Sequence, residues 1–105
     1  DWENEVPVKI FSKGELQWEF DMDSELAKEN YRFKFIQLSG EAYKAIDDTL
    51  IIDKTVYCKM ENLNDTLLNE FFGKPITLKG RVLGYNNISK KLRLDKCFIL
   101  QSPGT

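Results

Sequence analysis

The spacing of hydrophobic positions along this chain switches between two periods, and each switch marks a new kind of element. Leu16, Phe20, Ala27 and Tyr31 recur at intervals that keep to one helical face, as in an amphipathic helix packed on a core. Ser12 and Glu15 stand just ahead with the spacing of a capping box. There the serine hydroxyl accepts from the third helical N–H while the glutamate reaches back to the serine N–H. The pattern predicts one helix over 13–29, with Asp23-Ser24 a second capping site at which it could break. Ahead of it, Val8 and Ile10 alternate as a short extended piece.

From Phe33 the period is two. Ile36, Leu38, Gly40 and Ala42 share one face, while Gln37, Ser39 and Glu41 share the other. That is a half-buried strand carrying the glycine that a strongly bent barrel strand often needs. Asp47-Asp48 and Lys54 mark turns, so strands are predicted near 33–43, 49–53 and 55–61. Helical spacing returns from Asn62 to Phe72, with Leu63, Leu67, Leu68, Phe71 and Phe72 apolar and Gly73 a stop signal, predicting a helix over 63–72. Ile76, Leu78, Gly80 and Val82 then alternate with Thr77, Lys79 and Arg81 in a strand near 76–84. Gly84-Tyr85-Asn86-Asn87 has turn chemistry and leads to a strand near 91–100. In that last strand the step from Leu94 to Cys97 is odd, so the alternation slips at Asp95-Lys96 as a bulge would make it.

Five short strands with a helix between the third and fourth form the pattern of an OB-fold. The expected fold is mainly β: a five-stranded OB-fold barrel with an N-terminal helix and a helix between strands 3 and 4. An open sheet with a strand-helix-strand crossover fits less well, because three strands in a row come first. The 105 residues have room for one domain, expected over 8–101 with its N-terminal helix, behind a stalk or leader at 1–7 and ahead of a tail at 102–105.

Composition narrows the function classes. The chain is 42% hydrophobic and 30% charged, ordinary for a folded domain, and no apolar run reaches membrane-span length. With no histidine, no Ser-His or Cys-His pair can form, and the scattered glycines make neither a dinucleotide fingerprint nor a phosphate loop. The expectation is a protein that is not an enzyme and that has no metal or cofactor. Cys58 and Cys97 lie on the third and fifth predicted strands, parallel neighbours in such a barrel, and could form a disulfide or remain buried thiols.

Several stretches resemble the tRNA_anti-like family of small OB-fold proteins. They are Glu15-Leu16 to Phe20, Tyr31-x-x-Lys34-x-Ile36-x-Leu38-Ser39-Gly40, Val56-x-Cys58, Gly73-Lys74-x-Ile76-Thr77-Leu78-Lys79-Gly80 and Leu94-x-x-Cys97-x-Ile99, in the family's order over about residues 8–100. The resemblance implies a barrel outside the cytoplasm, held by an N-terminal membrane segment absent from this chain, with residues 1–7 as the stalk. It carries no activity or ligand with it, and fold alone does not give function. Tyr85-Asn86-Asn87-Ile88-Ser89 replaces the family's glycine-rich hairpin, so that loop need not share a family role.

Charge then separates the binding readings. Residues 1–30 carry nine acids and three bases, a net of −6; residues 31–105 carry eight acids and twelve bases, a net of +4. Lys79, Arg81 and Arg93 should face outward on the fourth and fifth strands, with Tyr57 and Lys59 on the third, where barrels of this type bind single strands. These five are the candidate binding residues. A concentrated, uncovered basic surface is what nucleic-acid affinity needs, and here an acidic segment is tethered to the basic one. The main expectation is therefore a binding or structural module for a protein, glycan or envelope component, without tight nucleic-acid binding; a single-stranded nucleic-acid-binding domain is the alternative.

Overall fold

The switch of period at Phe33 is where the chain enters a barrel. In the computed structural model, which describes residues 2–61, 63 and 70–101 (the side chains of Trp2 and Gln101 excepted), a short strand β1 (Ile10–Phe11) precedes two helices, α1 (Glu15–Met22) and α2 (Ser24–Tyr31). Five strands follow: β2 (Phe35–Ile46), β3 (Thr49–Ile52), β4 (Val56–Met60), β5 (Pro75–Tyr85) and β6 (Leu92–Gln101). β2 pairs antiparallel with both β3 and β5, β4 pairs parallel with β6, and β5 pairs antiparallel with β6, so the five close on themselves. β1 adds in parallel to β2 through Ile10–Gln37 and Phe11–Leu38.

The single helix expected over 13–29 is two. Asp23 takes extended backbone, with φ −154° and ψ 90°, and its side chain accepts from the Leu26 N–H. Its own N–H bonds the Glu19 carbonyl, so one residue ends α1 and caps α2, a competition with the helix ladder at which aspartate excels. At the start of α1 only half of the capping box forms. Glu15 accepts from the Ser12 N–H, but the Glu15 N–H goes to the Ser12 carbonyl and Gly14 enters the helix with φ 80°.

Both described helices precede β2. Of the helix expected over 63–72, residues 64–69 lie outside the described residues. At its end Glu70 and Phe71 have helical backbone and Phe71 is buried. The first barrel strand covers 35–46 rather than 33–43, because Phe33 adopts a left-handed backbone, φ 64°, and its N–H is bonded to the Val82 carbonyl. That conformation is uncommon for a bulky residue.

Closure dictates two glycines. β2 faces β5 over Phe35–Glu41 and β3 over Ala42–Ile46, and at the change of partner a Cβ on Gly40 would stand 2.4 Å from Ile52 Cγ2. A Cβ on Gly80 would stand 2.4 Å from Cys97 Sγ. Cys97 reaches that place through the bulge. Between the pairs Cys58–Leu94 and Met60–Cys97, β6 has two residues where β4 has one, and Lys96 takes φ 50°. The core combines the inner barrel face, including Ile36, Leu50, Cys58, Leu78, Leu94 and Cys97, with Leu16, Phe20, Ala27 and Tyr31 from the helices. Both cysteines are fully buried and free. Burial pushes the Cys97 thiol well up, and hydrogen bonding with Cys58 adds to it.

Two outcomes are expected. Gly80→Ala should lose about 1–3 kcal/mol of unfolding free energy in urea, as overpacking does, and Cys97→Ala in the same chain should recover much of that loss through a favourable coupling. Thiol titration of the denatured, unreduced protein should find two thiols, while the native protein reacts slowly because both are buried.

Candidate functional site

The five candidate residues meet different fates. Arg81 faces outward but lies opposite Asp95, and the two form a forked pair, Nε to Oδ1 at 2.9 Å and Nη2 to Oδ2 at 2.7 Å. The hydrogen bond to Asp95 holds the guanidinium above its usual range, and the arginine is largely neutralised for any ligand. Lys79 is only 5% exposed, against the expectation of an open outward cation. Its Nζ donates to the carbonyl oxygens of Glu3 and Glu5, both at 2.7 Å, and lies 4.8 Å from the Phe98 ring centroid. A buried cation must have hydrogen-bond partners; here backbone 74 and 76 residues away supplies them, a contact that no local pattern encodes.

Arg93 remains exposed and, among the described residues, makes no ion pair. It pairs across β4–β6 with Tyr57, which is half-buried beneath the Lys91 ammonium, 5.1 Å from its ring centroid. Lys59 is exposed two residues further along β4. Tyr57, Arg93 and Lys91 thus come together, and Lys79 and Arg81 are withdrawn.

A cleft of about 490 Å³ opens beside Arg93, between α2 and the β5–β6 hairpin. The hairpin is shaped by Asn86, whose Oδ1 accepts from the N–H groups of Ile88 and Ser89 at 2.8 and 2.9 Å, an Asx turn. Lys90 then takes φ 64° and its N–H bonds the Asn86 carbonyl. This turn sets Lys91 and Arg93 in the cleft wall together with Lys28 and Arg32 from the end of α2, and among the described residues the wall contains no carboxylate. Lys28 has a loose, exposed contact with Glu25 at 3.5 Å, and Arg32 lies over the Phe33 ring at 4.7 Å. Asn86 and Ser89 also line the cleft. Lys28 and Arg32 escaped the sequence reading because they sit in or beside the acidic segment; their i, i+4 spacing at a helix C-terminus, where cations are favoured, was the available signal.

No family model and no curated protein matches the chain in sequence. A solved structure does match in shape: a "putative nucleic acid-binding lipoprotein" from Klebsiella pneumoniae, with a TM-score of 0.55 and 14% identity over 86% of this chain and 91% of that one. The fold is OB-like. At that identity the likeness shows the fold alone, and the OB-like barrel is what the two share. No described helix is long and apolar enough to cross a membrane.

In this OB-like barrel the helices are tied to the strands by polar side chains. Gln17 Nε2 donates to the Lys90 carbonyl at 2.8 Å, and Gln17 Oε1 accepts from the Thr55 hydroxyl at 2.7 Å, so α1 bridges the β5–β6 and β3–β4 turns. Glu19 accepts from Lys9 and from the Tyr31 hydroxyl, each at 2.8 Å. Burial works against the Glu19 charge, yet these two partners hold its carboxyl below the usual range. The Tyr85 hydroxyl, at the edge of the cleft, donates to Asp21. Burial first, and then that hydrogen bond, push the Tyr85 phenol up to about 12.

Phenolate absorbance should therefore show late-titrating tyrosine, with Tyr85 near pH 12 against about 10 for a solvated phenol. Tyr85→Phe should remove that part of the late phase. Because the folded value is raised, the associated stability is complete below about pH 10 and is lost as pH rises towards 12.

Proposed function

We propose that this chain is a non-catalytic OB-like binding module that takes an anionic ligand in the cleft between α2 and the β5–β6 hairpin. One observation carries the reading: Lys28, Arg32, Lys91 and Arg93 converge on a single concavity whose wall, among the described residues, holds no carboxylate. Cations gathered with only a loose counter-charge, Glu25 at 3.5 Å from Lys28, repel one another, and a bound anion relieves that repulsion. The two guanidinium groups offer planar forks suited to phosphate, sulfate or carboxylate oxygens. Asn86 and Ser89 add neutral donors, because the Asn86 amide nitrogen is left over once its oxygen has shaped the turn. The absence of histidine, and with it of a Ser-His or Cys-His pair, supports a binding role over catalysis.

The address we infer is the bacterial envelope, outside the cytoplasm, with the barrel held at a membrane through a segment that precedes residue 1. Support comes from the resemblance to the tRNA_anti-like family, to which we assign the chain, and from the word lipoprotein in the name of the structural neighbour. An anionic envelope component is then the natural partner. The second reading is single-stranded nucleic acid. It is favoured by Tyr57 standing beside Arg93 at the margin of the cleft, where a base could stack while a phosphate is held. The withdrawal of Lys79 and Arg81 leaves few cations for a strand to neutralise, so such binding should be weak and salt-sensitive.

Fluorescence anisotropy with labelled single-stranded DNA, competed by inorganic polyphosphate, tests both readings. Polyphosphate should bind, and Arg32→Ala or Arg93→Ala should each weaken it roughly tenfold or more, as removing a charged hydrogen-bond donor does. DNA affinity should collapse between low salt and about 150 mM. If polyphosphate binding ignores both arginines, the cleft is not the site. If submicromolar DNA binding persists at the higher salt and depends on Tyr57 and Arg93, the second reading replaces the first.

A further inference from the structure

A second concave surface shares no lining residue with the basic cleft. Asp21, which accepts from Tyr85 of the cleft, lines a wider groove of about 760 Å³ between α1 and the β3–β4 turn. Two aromatic rings line it. Trp18 on α1 is 60% exposed; Tyr43 on β2 is 48% exposed, with the Lys54 and Lys44 ammonium groups 5.6 and 5.9 Å from its ring centroid. Trp18 lies off the apolar stripe of its helix, and most of its surface faces outward. Tyr43 sits in the irregular step of β2 between Ala42 and Lys44, and such steps re-aim a side chain.

The groove's other wall is a strained turn. Asp53 and Lys54 both have left-handed backbone, φ 51° and 69°, and the turn is closed by the Thr55 N–H to the Ile52 carbonyl at 3.2 Å. A two-residue hairpin of that kind ordinarily takes Asn-Gly or Asp-Gly. Here lysine follows the aspartate, and both side chains line the groove. The polar rim is close to balanced, with Asp21, Glu41 and Asp53 against Lys13 and Lys54. It also has acceptor capacity to spare: Glu41 meets Lys13 only at 3.9 Å, and one Asp53 oxygen is committed to the Glu41 N–H while the other makes no hydrogen bond among the described residues.

We propose that this groove binds a neutral oligosaccharide. A sugar ring has an apolar C–H face that fits the exposed Trp18 ring and a rim of hydroxyls that donate to carboxylate oxygens and accept from lysine ammonium groups, which is the combination of faces and polar groups present. Polyanions are disfavoured by three carboxylates on the wall. An apolar peptide or a lipid surface would strip water from those carboxylates without pairing them.

The test uses cellohexaose, maltohexaose and chitohexaose, followed by amide shifts in two-dimensional NMR and by tryptophan fluorescence. At least one should give saturable shifts at Gln17, Tyr43 and Asp53. Trp18→Ala should weaken it roughly tenfold, with Trp18→Phe intermediate and Arg93→Ala unchanged. Trp18→Ala should fold, since alanine suits an exposed helical position, and the unperturbed spectrum elsewhere verifies that. The proposal is overturned if no sugar shifts these amides up to about 10 mM, or if shifts survive in the Trp18→Ala/Tyr43→Ala double variant. It is also overturned if oligogalacturonate or an apolar peptide binds more tightly than the neutral sugars.

Discussion

Everything in this molecule hangs on β2 serving two neighbours. A five-stranded sheet closes only if one strand pairs at its beginning with the last of the series and at its end with the next in sequence. β2 does so by pairing with β5 up to Glu41 and with β3 from Ala42. Closure removes open edges from the barrel and gives its inner face one continuous core. It also squeezes the backbone where the partner changes, which is why Gly40 has no room for a side chain. β5 meets the same constraint from the opposite side. There Gly80 lets Cys97 point inward past the bulge, so a residue with no side chain and a residue out of alternation solve one packing problem together.

Closure leaves the ends of the barrel uncovered, and the two helices answer one of them. Their apolar stripe joins the core, and their polar side chains reach the strand connections. Gln17 holds both the β3–β4 and β5–β6 turns, and Asp21 holds Tyr85. The turns around the two concave surfaces are therefore braced by a neighbouring element, the arrangement under which loop residues keep a defined geometry. Glu19 is a further example, a half-buried carboxylate stabilised by Lys9 and Tyr31 from different elements.

Much of the fold was legible in the residues themselves. The change of period at Phe33, the odd step from Leu94 to Cys97 and the break available at Asp23-Ser24 are local signals, and each corresponds to a local event. The reading of one helix over 13–29 failed because the stripe from Leu16 to Tyr31 runs through Asp23 without interruption; periodicity records which face is buried and is silent about a cap. The site was less legible. Alternation assigned Lys79, Arg81 and Arg93 to the outer face, and Arg93 is open there. Alternation has no information on what lies across that face, and in the other two cases a cross-strand aspartate and the backbone of Glu3 and Glu5 decide the outcome.

Those two losses shape what the surface can select. Outward Lys79, Arg81 and Arg93 together would have made a broad basic band, attractive to any polyanion and limited mainly by salt. Pairing Arg81 with Asp95 and burying Lys79 under backbone removes the β5 side of that band. Lys28 and Arg32, the basic residues at the far end of an otherwise acidic helix pair, restore charge in a different shape. They face Lys91 and Arg93 across a concavity rather than extending along a strand. A concave set of cations holds a compact anionic group from several directions, whereas a band tracks an extended backbone. The acidic segment thus acts less as a screen over the basic strands than as the second wall that turns part of their charge into a pocket.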